Sequence, residues 1–106
     1  MTFRRDSHER LSSVFAEGHA GWDKHGRDLA CAAVSAILQA AWVGLTDHAH
    51  VDVEGERTPA RLSMTWPEAD RGRESVAAIV ATAELAIGQI ARQYPKSVCA
   101  KRAKEP

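Results

Sequence analysis

The sequence predicts a two-layer α+β domain, in which an antiparallel or mixed sheet of four to five strands packs against two main helices. Two observations predict this fold class. Segments with a strand-like pattern of apolar residues come in pairs, and each pair is followed by one long apolar segment with a helical pattern. Because 106 residues suffice for one hydrophobic core, a single domain is expected over residues 1–106.

The first strand pair is predicted over residues 2–4 and 10–17, with Asp6 and Ser7 as turn formers. Residues 18–27 follow, and they contain three glycines, two histidines and a tryptophan without a regular period. This composition predicts a loop. Loops held by a rigid scaffold often carry chemistry, since glycine permits backbone conformations that other residues resist.

The first helix is predicted to begin after Asp28 as its N-cap and to end near Gly44. It is rich in alanine and apolar on nearly every face, which is typical of a central helix covered on most sides. Its polar residues, Ser35 and Gln39, follow Asp28 and Cys31 at spacings of three, four and four. These four residues therefore share one face.

A second strand pair is predicted over residues 49–54 and 60–66, across a turn near Gly55. The second helix is expected over residues 72–93, where one apolar stripe recurs at spacings of four and three: Val76, Val80, Ala83, Ile87, Ile90 and Tyr94.

The last predicted element is an edge strand over residues 97–101, after Pro95 has ended the second helix. The complete order is strand, strand, helix, strand, strand, helix, strand.

The charge balance favours a protein or small-molecule partner. Lysine plus arginine equal aspartate plus glutamate, 14 against 14, so no global field attracts nucleic acid or an anionic membrane. Direct nucleic-acid binding is therefore not expected, and the basic stretch Lys101, Arg102 and Lys104 is interpreted as a solvated tail.

A cytoplasmic location is expected because the charged N-terminus lacks the apolar segment of a secretion signal. The uncharged run over residues 29–45 is shorter than the roughly 20 residues of a membrane span, so a buried core helix is the better interpretation. Cys31 and Cys99 lie 68 positions apart, form no CxxC motif and should remain thiols in a reducing compartment.

Cys31 is the candidate nucleophile. With Asp28 as N-cap it lies in the first helical turn, where unpaired N–H groups and the macrodipole favour an anion such as a thiolate. The Asp28 carboxylate opposes this effect, so a cationic partner is required, and His19, twelve residues upstream, can supply one. From spacing alone, a small buried cysteine in an alanine-rich helix is the favoured interpretation of Cys31, and His25 is an alternative base to His19.

Two segments resemble the signature motifs of the ribosomal-processing cysteine protease family, often called Prp. These are GHA at residues 18–20 and DLACAAVSAILQAA at residues 28–41, and YPK at residues 94–96 is also similar to a family feature. The resemblance implies Cys31 as nucleophile and His19 as general base and acid. It also matches Gly18, Asp28 and Ser35 to the surrounding motif positions.

The resemblance further implies an endopeptidase that removes a short N-terminal extension from a large-subunit ribosomal protein. The enzyme would be a homodimer, without metal or other cofactor. First-turn N–H groups of Leu29, Ala30 or Cys31, or loop donors such as Gly26, could form the oxyanion hole.

Two rival functions stay open at this point. One is a non-catalytic, ribosome-associated binding domain on the same fold. The other is a metal-binding module built from His19, Cys31 and the pair His48 and His50, which would point the same way if they lay on a strand.

Overall fold

The computed structural model describes residues 1–17, 25–58 and 61–106, with the backbone alone described for residues 25–28. It confirms the α+β class with a five-stranded mixed sheet and two main helices. In chain order the elements are β1 (Thr2–Arg5), β2 (Leu11–Glu17), α1 (His25–Val43), a π-helical turn (Gly44–His48), β3 (Glu54–Arg57), β4 (Arg61–Thr65), a 3-10 turn (Glu68–Asp70), α2 (Glu74–Gln93) and β5 (Lys101–Lys104).

The strands lie in the order β3-β4-β2-β1-β5, and every neighbouring pair is antiparallel except the parallel pair of β1 and β5. One face of the sheet carries Phe3, Val14 and Met64, which are buried and form one core cluster with both helices. On the opposite face Arg4 and Phe15 are exposed. The domain therefore has two layers, with the core between sheet and helices.

Each helix faces this core with one stripe of buried residues. Along α2 the buried residues are Val76, Val80, Ala83 and Ile87, as predicted, whereas Tyr94 lies beyond the helix and is exposed. Along α1 the buried residues are Ala30, Val34, Leu38 and Ala41.

The prediction that the first helix is covered on most sides is wrong for the single chain. Leu29 and Val43, on the side of α1 away from the core, are 53% and 50% exposed. The many alanines of α1 make its surface apolar on every side, which led to the prediction, but the sheet covers only one side of the helix. Leu29–His48 and Glu74–Gln93 have the length and apolar character of membrane spans, a test that core helices of folded domains also pass.

Two predicted boundaries are corrected near the first helix and the second strand pair. Asp28 is not the N-cap, because α1 begins at His25. The helix includes Gly26, and one glycine costs a helix only about 1 kcal/mol. Gly55 does not form the turn either, since it lies inside β3, which pairs antiparallel with β4. Val51 is buried and its N–H donates to the Leu45 carbonyl at 2.8 Å, so the alternation before Glu54 reflects packing against the helix end.

The basic stretch near the C-terminus is a strand, so its interpretation as a solvated tail is wrong. Residues Lys101–Lys104 form β5, four positions later than the predicted start, and hydrogen-bond in parallel to β1. As predicted, α2 ends at Gln93 before Pro95, and β5 is an edge strand.

A buried carboxylate ties the first hairpin to the segment after β4. Asp6 is 6% exposed and accepts hydrogen bonds from the backbone N–H groups of His8 and Arg10 at 2.9 and 3.1 Å. The guanidinium groups of Arg10 and Arg71 donate to its second oxygen at 3.1 and 3.3 Å. Arg71 also donates twice to the carbonyl of Trp66, at 3.1 and 2.9 Å.

Candidate active site

Cys31 lies on α1 beside the stripe that packs on the sheet. Ala30 and Val34 of that stripe are buried, whereas Cys31 is half-buried and has a free thiol. Cys31 is therefore only partly covered by its neighbours. An accessible thiol on a rigid element is the minimum that a cysteine nucleophile requires.

The predicted position of Cys31 in the first helical turn is wrong. Because α1 begins at His25, Cys31 is its seventh residue and lies in the second turn. Macrodipole effects fall off within the first turn, so the helix stabilises a thiolate at this position less than expected. A cationic partner gains importance accordingly.

The start of the helix also changes the possible oxyanion donors. Among the described residues, the N–H groups without an intrahelical acceptor are those of residues 25–27, at the start of α1. The amides of Leu29, Ala30 and Cys31 lie past that first turn, where a regular helix uses them internally. Gly26, which the sequence placed in a loop, is one of these residues at the helix start.

The polar face of α1 is formed as its spacing predicts. The Gln39 amide donates from Nε2 to Oγ of Ser35 at 2.9 Å, one helical turn apart. Ser35 is half-buried like Cys31, and Gln39 is exposed. Ser35 therefore has a defined hydrogen-bond partner on the face that carries the cysteine.

The same face continues to an aromatic residue that the sequence analysis missed. Trp42 follows Gln39 at a spacing of three and is half-buried. The guanidinium carbon of Arg57, in β3, lies 4.9 Å from the centroid of the Trp42 ring, which is a cation–π distance. The helical spacing from Cys31 contained this signal, but only the structure could show that the β3 edge reaches the face.

The other candidate residues are placed as follows. Gly18 and His19 lie outside the described residues, and for Asp28 only the helical backbone is described. His48 belongs to the π-helical turn and His50 has a positive φ of 55°, so the conditional arrangement of both on one strand does not occur. Within the described ranges no three His, Cys, Asp or Glu side chains form a metal-binding group.

Cys99 is exposed. It lines an open cavity of about 570 Å³ at the end of α2, together with Arg92, Pro95 and Val98. Cys31 and Cys99 thus lie in different surroundings, and both are free thiols.

The protein is a small α+β domain, and its first helix carries a half-buried free cysteine on its polar face. These two features make it a candidate thiol-dependent enzyme. The family model described as cysteine protease Prp matches residues 1–99, and the chain belongs to this family of cysteine proteases. No curated protein matches the chain.

Solved structures share the fold over nearly the whole chain. The protein SMU.848 from Streptococcus mutans is 27% identical, with a TM-score of 0.87 over 98% of this chain and 92% of that one. The ribosomal processing protease Prp from S. aureus in complex with a substrate peptide is 14% identical, with a TM-score of 0.85 over 95% of each chain. The same protease with a covalently linked product peptide gives a TM-score of 0.81 at 14% identity, again over 95% of each chain.

Proposed function

We propose that this protein is a cysteine endopeptidase that removes a short N-terminal extension from a large-subunit ribosomal protein in the cytoplasm. The observation that carries the proposal is the family match over residues 1–99, which includes the accessible thiol of Cys31. The fold shared with a ribosomal processing protease that binds a substrate peptide supports the same substrate class. No metal or other cofactor takes part in the proposed reaction.

Cys31 is the nucleophile in this proposal and His19 is its proton partner. The thiolate attacks the scissile carbonyl, and the tetrahedral intermediate collapses to an acyl-enzyme while the imidazolium protonates the leaving amine. Water then hydrolyses the thioester with His19 as general base. The position of Cys31 in the second turn of α1 makes an imidazolium the main source of stabilisation for the thiolate.

Three further residues support the dyad in this proposal. Gly18 precedes His19 in the matching motif, and Asp28 lies one helical turn before Cys31. Ser35 lies one turn after Cys31 on the same face. The amides of residues 25–27 at the start of α1 are proposed as donors to the oxyanion.

The decisive experiment is cleavage of a peptide that spans the N-terminal extension of the ribosomal protein from the source organism. Cys31→Ala and His19→Ala should each abolish turnover, whereas Cys99→Ala, the matched change at the other free thiol, should retain it. Undiminished cleavage by either dyad variant would remove that residue from the mechanism. Ribosome binding without any thiol-dependent turnover would instead favour a non-catalytic binding domain.

Alkylation provides a second test that needs no substrate. Below pH 7, Cys31 should react with iodoacetamide faster than Cys99, although Cys99 is the more exposed thiol. Peptide mapping by mass spectrometry measures both rates in one sample. Equal rates would argue against an activated thiolate.

We also propose that the enzyme is a homodimer that uses the outer surface of its helical layer. Leu29 and Val43 on α1 and Leu85 on α2 are 53%, 50% and 65% exposed. These side chains face away from the sheet, on helices whose inner stripes are buried. Burial of such residues against a second copy would remove apolar surface from water.

A further inference from the structure

We propose that Arg57 forms a substrate subsite at the free edge of the sheet. An extended segment of the peptide pairs there with the backbone of Arg57 and places an acidic side chain against its guanidinium. The inference deepens the proposed function and rests on it, because it takes Cys31 as the nucleophile and a polypeptide as the substrate.

The backbone of Arg57 is open on the outer side of β3. Thr58 and Arg61 exchange both backbone hydrogen bonds, at 2.8 and 3.3 Å, so the N–H and C=O of Thr58 point towards the neighbouring chain segment. Because these directions alternate along a strand, the N–H and C=O of Arg57 point away from β4. β3 is an edge strand, and within the described ranges no other segment hydrogen-bonds these two groups. An extended peptide can use both of them by adding a strand.

The side chain of Arg57 lies on the helix side of the sheet. Its register partner Leu62 is buried in the core, and paired residues project from the same face. The guanidinium carbon is 4.9 Å from the centroid of the Trp42 ring, a contact that restrains the charged group.

The charge of Arg57 is available to a ligand. The residue is exposed, and in the part of the chain that the structure describes no carboxylate forms an ion pair with it. Its neighbour Glu56 pairs instead with Arg61. A guanidinium binds a carboxylate by charge-assisted hydrogen bonds, so the complementary substrate side chain is acidic.

One face of α1 connects this position to the nucleophile. Trp42 follows Cys31 by eleven residues, which is about three helical turns, so both lie on the same side of the helix. They are about 16 Å apart along the helix axis. An extended chain advances about 3.3 Å per residue, so a peptide with its scissile carbonyl at Cys31 reaches Arg57 about five residues from that bond.

A scan along the substrate locates the subsite. The probe is the peptide that spans the N-terminal extension of the ribosomal protein, with each position in turn N-methylated or replaced by glutamate or lysine. N-methylation about four to six residues from the scissile bond should raise KM about fivefold with kcat unchanged, since the lost hydrogen bond is equal in ground and transition states. In this window glutamate should lower KM and lysine should raise it, each about threefold. Effects confined to the two residues on either side of the scissile bond would overturn the subsite.

Protein variants assign the effect to one side chain. Arg57→Ala should raise KM about fivefold and abolish the preference for glutamate, and Arg57→Glu should prefer lysine. The matched control is Arg61→Ala, which removes an exposed guanidinium 5.9 Å from the Phe15 ring on the opposite face of the sheet and should leave KM unchanged. A preference for glutamate that persists in Arg57→Ala would overturn the subsite. The peptide scan on the unaltered protein decides the question if Arg57→Ala does not fold.

Binding to Cys31→Ala separates the subsite from the proposed function. Calorimetric titration with the peptide measures its affinity for this variant without cleavage, and Arg57→Ala in that background should weaken the affinity about fivefold. Cleavage by the wild type that does not depend on Arg57 would overturn the subsite and leave the function. Binding that depends on Arg57 without any turnover by the wild type would overturn the function and leave the subsite. Absence of both binding and cleavage would overturn both.

Discussion

At the scale of single residues, Asp6 shows how hydrogen bonds set the pKa of a buried carboxyl. Its burial alone would raise the pKa of the carboxyl, but hydrogen bonds from the backbone of Arg10 and His8 and from the side chains of Arg10 and Arg71 outweigh this effect. They lower the pKa from 3.8 to about 2. The folded state therefore favours the ionised carboxylate more than the unfolded chain does.

This lowered pKa predicts an acid-dependent contribution to stability. The contribution is complete above the unfolded pKa of 3.8 and is lost as the pH falls through about 2. Asp6→Asn should lower the free energy of unfolding at pH 7, because an amide cannot accept from all these donors, and the difference from wild type should narrow at pH 2.5. Urea unfolding at both pH values measures it, with the exposed Asp52→Asn as control. A difference that does not depend on pH would contradict this account.

At the scale of the elements, two glycines differ in whether a side chain would fit in their place. Gly55 in β3 has φ of 156°, and a Cβ there would lie 1.8 Å from the carbonyl oxygen of Ser63 on β4. Gly88 is inside α2, and a Cβ there would meet only a side-chain atom of Arg92 at 3.8 Å. The first glycine is required by a close approach of two strands, and the second is not.

The same substitution should therefore have opposite effects at these two positions. Gly55→Ala should destabilise the domain by about 1–3 kcal/mol, since β3 must move away from β4. Gly88→Ala should stabilise it by about 0.4–1 kcal/mol, because alanine loses less backbone entropy in a helix. Chemical denaturation measures both changes, and a stable Gly55→Ala variant would show that β3 tolerates displacement.

The connection between sheet and helices includes a partly buried ion pair. Glu84 of α2 is 11% exposed and accepts two hydrogen bonds from Arg5 of β1, at 2.8 and 3.0 Å. The hydrogen bond to Glu84 is the main cause that raises the pKa of Arg5. Lys104 and Glu9 form a much more exposed pair at 3.5 Å.

Removal of one partner should cost more in the buried pair. Glu84→Ala leaves the guanidinium of Arg5 without its carboxylate and should destabilise the domain by about 2 kcal/mol. Lys104→Ala should cost less than about 0.5 kcal/mol, as is usual for exposed pairs. Thermal unfolding of both variants compares the two values. Equal losses would mean that burial does not distinguish the pairs.

At the scale of the whole molecule, periodicity predicted the architecture well. Local spacing predicts the buried stripe of α2, and turn chemistry predicts the hairpin around Asp6. Both signals lie within one short segment of the chain. The stripe consists of Val76, Val80, Ala83 and Ile87. The helix start at His25 and the position of Gly55 inside β3 could not be predicted this way. Both depend on contacts with segments distant in sequence, which override local preference.

The candidate site divides in the same manner. Motif resemblance and helical spacing identified Cys31, Ser35 and their shared face without coordinates. The contact of Arg57 with Trp42 joins residues 15 positions apart on different elements, and no local pattern records it. Contacts between residues of different elements are therefore the part of the candidate site that a single sequence does not show.

The exposed apolar side chains of the helical layer lead to a prediction about assembly. Leu85→Glu should place a charge at the proposed contact between two copies and shift the protein from dimer to monomer. Size-exclusion chromatography with light scattering reports the mass. Phe15→Glu, at an exposed position on the opposite face of the sheet, is the matched control and should leave the mass unchanged. A wild-type monomer would contradict the homodimer.

The pairing of β1 with β5 has a consequence for how this protein is made. Residues Thr2–Arg5 are synthesised long before one of their two neighbours in the sheet, Lys101–Lys104. When the nascent chain has left the ribosomal tunnel only as far as α2, β1 can pair with β2, but its other edge is still unpaired and open to other strands. Completion of the sheet must wait until Lys101–Lys104 have emerged, so β1 is paired along both edges only after α2 has been made.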